Sequence, residues 1–316
     1  VNIIFYRSVF CMKLNKFFLK FLTTACLIGG ASAVQAIEIN TAQGPVTFDQ
    51  AVGDNVAVYE LAAMDTLQAL GVNPKGIPST IYVDYLADAK SADSVEVGTL
   101  FEPDLEALNR LKPEAIIIGG RMAPKADALA KIAPVVDLTN TGVSVDNSQK
   151  LLAELGKLFN KEERAAELQK SLNDELALTK EVVKGQGRAL MILVNGTKIA
   201  SYGVNSRFGY LFNDFGWEAA DKTDSSARHG NPISFEFIRE NDPDWLIVMD
   251  RTSAVRAKGD NAQTVLDNAL LRETQAFKNN HIIYLDVSSY LASGGYQQMM
   301  LELKLLRDAV QKAKAQ

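Results

Sequence analysis

Residues 147–184 read NSQKLLAELGKLFNKEERAAELQKSLNDELALTKEVVK, and this stretch decides the architecture. Leu151, Leu155 and Leu158, then Leu168, Leu172 and Leu176, recur every three or four residues with charged residues between them. That is the period of a helix with one buried face. No strand signal interrupts it. Gly156 and Asn160 are expected to mark a kink or break, and Gly185 and Gly187 to end it. A helical stretch of this length, between segments of a different pattern, reads as a connector.

Working outward, residues 45–140, within a first lobe of 37–146, alternate short apolar runs with helical ones. Val46 to Phe48, Val56 to Val58, Ala115 to Ile118 and Val135 to Leu138 read as strands. Glu60 to Leu70, Asp104 to Leu111 and Met122 to Ile132 read as helices. Residues 185–316 repeat the style, with strands at Ala189 to Val194, Trp245 to Met249 and Ile282 to Leu285. Phe208 to Phe215 and the closing Gln297 to Lys314 read as helices. Alternation of this kind predicts parallel-rich α/β lobes, here two of them joined by a single long interdomain helix. An internal echo supports the pairing. Glu106 stands seven residues before Pro113 and Arg121 eight after it; Glu236 and Arg251 hold the same spacing about Pro243.

Composition narrows the class. The chain has 316 residues, 47% of them apolar and 22% charged, which is the profile of a folded globular protein. A formal charge of −5 argues against nucleic acid as partner. Residues 1–36 distort that figure. From Met12 they carry Lys13, Lys16 and Lys20, an apolar run from Phe21 to Ile28, and small residues ending at Ala36, the pattern of an export signal. The eleven residues before Met12 read as an upstream extension. Removing residues 1–36 takes away Arg7 and three lysines but no acid, so the remainder stands at −9. Both cysteines, Cys11 and Cys26, go with it. A cysteine-free acidic exported chain points to the periplasm, with lipid attachment at Cys26 as the competing expectation. Thr23 stands where such an anchor usually has Leu.

Five short stretches carry a resemblance: Ile118 to Arg121, Ser201 to Gly209, Arg228-His229-Gly230, Asp250-Arg251 and Tyr290 to Gly294. In their order and spacing the chain resembles periplasmic binding proteins for iron siderophores and cobalamin, and most of all those for ferric catecholates such as enterobactin and vibriobactin. The resemblance covers about residues 45–315. It implies two Rossmann-like α/β lobes bridged by one long helix, and small closure on ligand. It implies that Arg121, Arg207 and Arg251 contact the siderophore. His229 and Tyr290 would coordinate the iron directly when a tetradentate siderophore leaves two sites open. Glu106 and Glu236 would dock the two lobes onto an inner-membrane ATP-driven permease. The iron(III) travels as cargo, no intrinsic cofactor is implied, and a monomer is expected.

The chemistry agrees. Ferric catecholates are anions, and arginine is always charged, planar and able to stack on a catechol ring. Iron(III) favours oxygen donors, and imidazole also ligates iron. His229 lies in a polar loop that can present it to a cleft, whereas His281, at the start of a strand, reads as structural. Tyr202, Tyr296, Trp217, Phe208 and Phe101 are further possible cleft residues, with Arg228 and Lys125 as weaker basic ones. A ferric-hydroxamate, haem or cobalamin binder is the alternative within the class, and a periplasmic hydrolase a distant one. No Gly-x-Ser-x-Gly, His-Glu-x-x-His or P-loop sequence supports an enzyme.

Overall fold

The computed structural model describes residues 36–88, 90–139, 142–222 and 229–315. They belong to one compact unit, Gln35–Gln316. The expected export signal, Cys26 and Arg228 lie outside the described residues.

The chain opens with an antiparallel pair, β1 (Ile37–Ile39) and β2 (Val46–Phe48). The first lobe is then built on β3 (Ala57–Val58), β4 (Gly76–Ile77), β5 (Val95–Glu96), β6 (Ile116–Ile118) and β7 (Val135–Asp137). They lie in the order β5-β4-β3-β6-β7, all parallel. The first strand in sequence is therefore central, and the chain winds outward from it to both sides. Ile116, Ile117 and Ile118 are wholly buried, as a strand covered on both faces requires.

The second lobe carries β8 (Arg188–Asn195), β9 (Lys198–Ser201), β10 (Glu218–Ala219), β11 (Asn231–Ile233), β12 (Trp245–Asp250) and β13 (Ile282–Tyr284). Their order is β11-β9-β8-β12-β13, with β10 also on β8. This sheet does not simply repeat the first. β12, β13 and β10 pair in parallel, but β9 folds back on β8 as a hairpin and β11 runs antiparallel to β9. The two-residue turn Gly196-Thr197, between the paired Asn195 and Lys198, makes that reversal, with glycine at its first position at φ 58°.

The echo in the sequence is a repeated structural unit. Helices Leu105–Leu111 and Phe235–Asn241 are each seven residues long. Asp104 caps the first by accepting from Ala107 N, and Ser234 caps the second by accepting from Phe237 N. Each ends on a left-handed residue, Lys112 (φ 50°) or Asp242 (φ 42°). Proline follows, and then an acid. Glu114 accepts from Gly53 N and Asp244 from Arg188 N, which ties each turn to the chain entering the central strand.

The connector is two helices. Val145–Leu158 packs against the first-lobe helix Leu61–Ala69, and Glu162–Val183 makes the long bridge. Asn160, at φ 53°, is the break. Gly156 is not: a Cβ there would stand 2.8 Å from the Ala165 Cβ, so glycine lets the two helices touch. Leu168 and Leu172 of the bridge pack with Leu303, Leu306 and Val310 of the closing helix Tyr296–Lys314. Each leucine so buried is worth about 1.5–3 kcal/mol.

The closing helix also joins the lobes through polar contacts. Asp65, buried in Leu61–Ala69, accepts from Gln297 N at 2.7 Å and Gln298 N at 3.0 Å, as well as from Tyr85 Oη. Thr66 Oγ1 accepts from Tyr296 N. One first-lobe helix thus supplies the cap of the last helix. Gly295 permits the approach, since a Cβ there would lie 2.5 Å from the Asp65 Cγ. Burial pushes the Asp65 carboxyl up to about 7 against these donors, which pull it down. Across the front, Arg256 reaches Asp84 at 3.3 Å and lies 5.0 Å over the Tyr82 ring.

Candidate functional site

A cavity of about 520 Å³ opens against the second lobe. Its floor is the β8–β9 hairpin. Side chains alternate along a strand, so Leu193 and Asn195 of β8 share a face with Lys198 and Ala200 of β9 and with Tyr202 beyond it, and all five line the cavity. Pro232 and Ile233 of β11 add an apolar wall. Arg251 enters directly after β12, Arg207 comes from the loop after Tyr202, and Tyr290 from the short helix Ser288–Leu291. His229, exposed, stands on the loop leading into β11.

Tyr290 is the hub. Its phenol oxygen accepts from Arg251 Nε at 2.8 Å, and its backbone carbonyl accepts from Arg207 Nη2 at 3.0 Å. The two guanidinium carbons lie 4.7 Å (Arg207) and 5.7 Å (Arg251) from the ring centre. Arg207 also donates to Ser293 Oγ, and Arg251 to Asn195 Oδ1. Among the described residues neither guanidinium meets a carboxylate. Burial pulls the Arg207 pKa down, partly offset by the neighbouring tyrosines; the charge of Arg121 lowers it further. Unpaired cations held in a half-buried cavity are costly unless an anion visits.

Four of the five ligand residues expected from the sequence therefore line one cavity: Arg207, Arg251, His229 and Tyr290. Arg121 does not form its wall. It follows β6 and leans on Glu60 at 3.9 Å, reaching Arg207 through charge alone. Glu60 is itself largely buried, and burial raises its pKa while Arg121 lowers it.

The aromatic expectations divide. Tyr202 lines the cavity, with its pKa raised by burial. Phe208 is buried beside it, edge-on at 5.1 Å. Trp217 packs on Trp245 in the core, Tyr296 starts the closing helix, and Phe101 is exposed on the first lobe. Lys125 is taken by Glu102 at 2.8 Å. His281 stacks on Trp245 at 4.1 Å, the structural role expected of it. Asn195 and Lys198 were not legible as site residues; they flank the Gly196-Thr197 turn of the hairpin.

A buried carboxyl supports this constellation from behind. Glu302 Oε2 accepts from Tyr210 Oη at 3.1 Å, Ser289 Oγ at 2.6 Å and Gln298 Nε2 at 2.7 Å. Tyr210 is three residues past Arg207, and Ser289 immediately precedes Tyr290. Oε1 is buried without a partner, and burial pushes the carboxyl up to about 7.

The two glutamates expected to dock a transporter lie elsewhere. Glu106 and Glu236 are both the second residue of the repeated seven-residue helices, and both are exposed. No helix among the described residues is long and apolar enough to cross a membrane.

Comparison with known proteins places the fold in a family. Residues 56–288 match the family described as periplasmic binding protein. The petrobactin-binding protein YclQ of Bacillus subtilis is 31% identical over 262 residues, 81% of this chain and 82% of its own. Its crystal structure superposes with a TM-score of 0.81 over 87% of this chain and 99% of that one, at 28% identity. The ferric-anguibactin-binding protein FatB of Vibrio anguillarum is 30% identical over 245 residues, 74% of this chain and 75% of its own. The catecholate-siderophore binding protein VctP of Vibrio cholerae superposes with a TM-score of 0.79 at 29% identity, over 87% of this chain and 100% of that one. The iron(3+)-hydroxamate-binding protein FhuD of Escherichia coli is related more distantly, 27% identical over 170 residues, 52% of this chain and 57% of its own.

Proposed function

The chain belongs to the periplasmic binding protein family, and on that premise we propose that its cargo is a ferric catecholate siderophore, bound in the second-lobe cavity and handed to an inner-membrane ATP-driven importer. It is a binding protein and not an enzyme. The observation that carries the catecholate reading is the pair Arg207 and Arg251, which flank the Tyr290 ring without a carboxylate partner among the described residues. They offer an anionic aromatic chelate both charge and stacking surface.

Tyr290 and His229 fit the role of direct iron ligands. Arg251 donates to one lone pair of the Tyr290 oxygen, and the other is left for a hard cation. His229, exposed on its loop, brings an imidazole to the same cavity. A tetradentate ferric bis-catecholate has two open sites for them, and a hexadentate tris-catecholate has none. Titration of the protein with both complexes, followed by intrinsic fluorescence and by the iron charge-transfer band, tests this. We expect the bis-catecholate band to shift on binding, and Tyr290→Phe or His229→Ala to remove the shift and weaken that complex about tenfold. Binding of the tris-catecholate should be unchanged. Equal bis-catecholate binding by both variants and the unaltered protein would sink direct coordination.

Delivery rests on Glu106 and Glu236. Their identical placement on matched helices gives each lobe an exposed carboxylate at the same point of the repeated unit, suited to a transporter with two related halves. Exposed charges of this kind steer and orient more than they bind. The double substitution Glu106→Ala, Glu236→Ala should therefore lower transporter-coupled uptake at least tenfold and leave siderophore affinity intact. Undiminished uptake by the double variant rejects the docking role.

A hydroxamate chelate is the second reading, favoured by the kinship with FhuD. Hydroxamate complexes of iron are neutral or cationic, so they would make little use of two unpaired guanidiniums. Tight binding of ferric hydroxamates together with no response to ferric catecholates would replace the catecholate reading with this one.

A further inference from the structure

Beyond its two guanidiniums the cavity is lined by a third cation, Lys198, which is exposed at its outer end. Lys198 closes the β8–β9 hairpin directly opposite Asn195. Asn195 Oδ1 accepts from Arg251. Tyr290, Arg251, Asn195 and Lys198 thus form a row leading away from the phenol oxygen along one face of the sheet. Lys198 and Ala200 alternate onto the same cavity face, about 7 Å apart. Among the described residues the Lys198 ammonium meets no carboxylate, and no acidic side chain lines the cavity.

Charge then assigns the lysine a partner. Resting on the catecholate reading above, iron(III) with two doubly ionised catecholates carries about one negative charge. A coordinated Tyr290 phenolate would bring the total to about two. Arg207 and Arg251 match that total, and Arg121 is already leaning on Glu60. Lys198 is left over. We infer that Lys198 reads a free carboxylate on the siderophore's linker, so that the preferred cargo is an open-chain ferric bis-catecholate bearing one acid group outside its iron-binding set. A macrocyclic ligand with all its acyl groups esterified or amidated presents no such group. The ammonium suits this task because it is a mobile point charge on a long stem, able to follow a flexible linker end, whereas the guanidiniums are pinned to Tyr290, Ser293 and Asn195.

The probe is a pair of synthetic ferric bis-catecholates with one linker, ending in a carboxylate in the first and in the primary amide in the second. Each is titrated against the unaltered protein, Lys198→Gln and Lys198→Arg by fluorescence quenching at two salt concentrations. The unaltered protein should prefer the carboxylate about fivefold, the scale of a partly exposed ion pair, and the preference should shrink as salt rises. Lys198→Gln should bind both ligands alike, at the affinity of the amide. Lys198→Arg should keep the preference. An unchanged ratio in Lys198→Gln, or equal loss of both ligands, overturns the inference while leaving the catecholate reading standing. Binding of neither ligand by the unaltered protein removes that reading and this inference with it.

Discussion

Arg207→Ala should lose ferric catecholate affinity by about 10- to 100-fold while leaving the empty protein as stable as before, or slightly more so. Both halves follow from the same geometry. A charge-assisted hydrogen bond to the ligand is worth about 1.5–3 kcal/mol, which sets the loss. The guanidinium has no carboxylate partner among the described residues, and burial already depresses its pKa, so its charge is a burden on the apo fold. What the truncation breaks in the empty protein is one bond to the Tyr290 carbonyl and one to Ser293 Oγ. Arg207→Lys should not restore binding, because an ammonium cannot hold the Tyr290 carbonyl, stack on that ring and face the ligand at once. Arg251→Ala should cost a similar amount and also release the Tyr290 phenol oxygen, so its loss should be larger for a bis-catecholate than for a tris-catecholate. Ligand titration paired with thermal melts of the apo variants checks both directions. Affinity of Arg207→Ala within threefold of the unaltered protein would remove the anion argument and favour a neutral chelate.

Much of the scaffold is legible in the sequence. The leucine period across residues 147–184 shows the bridge, because a helix must keep one face buried along its whole length. The Glu-Pro-Arg echo proves to be a repeated cap, turn and strand, since each of those steps is governed by local backbone chemistry. Tertiary partners were not legible. Nothing in the sequence says that Glu60 claims Arg121, or that Asp65 of the first lobe caps a helix starting at Tyr296. The antiparallel edge of the second sheet was also missed. β9 is four residues and β11 three, too short for periodicity to show, and β11 contains Pro232, which suits an edge strand only. That edge carries Lys198, which is why the outer part of the cavity escaped notice while Arg207, Arg251, His229 and Tyr290 did not.

Stability should fall as pH rises from about 4 to 7, and Glu302→Gln should remove a large part of that slope. The folded Glu302 carboxyl sits at about 7, raised by burial, while the unfolded side chain titrates near its ordinary value of about 4.3. Below that lower value both states hold the proton and nothing is lost. Between the two the unfolded chain releases the proton and the folded protein keeps it, so unfolding gains ground with each step upward. Above about 7 the penalty is constant, on the order of 3 kcal/mol. Asp65, also at about 7, acts in the same window with the same sign. Glutamine copies the protonated acid: its oxygen can accept from Tyr210, Ser289 and Gln298, and its amide takes the place of the unpartnered Oε1. Denaturant melts from pH 5 to pH 8 should therefore show Glu302→Gln gaining on the unaltered protein as pH rises, with Asp65 and Glu60, both raised by burial, contributing to the remaining slope. The same variant should bind siderophore normally, because the segments carrying Arg207 and Tyr290 stay tied together. Glu302→Ala should weaken both stability and binding at every pH, since it strands three buried donors at about 1–3 kcal/mol each. Parallel pH profiles for Glu302→Gln and the unaltered protein would show that Glu302 is ionised in the fold and that its three donors outweigh its burial.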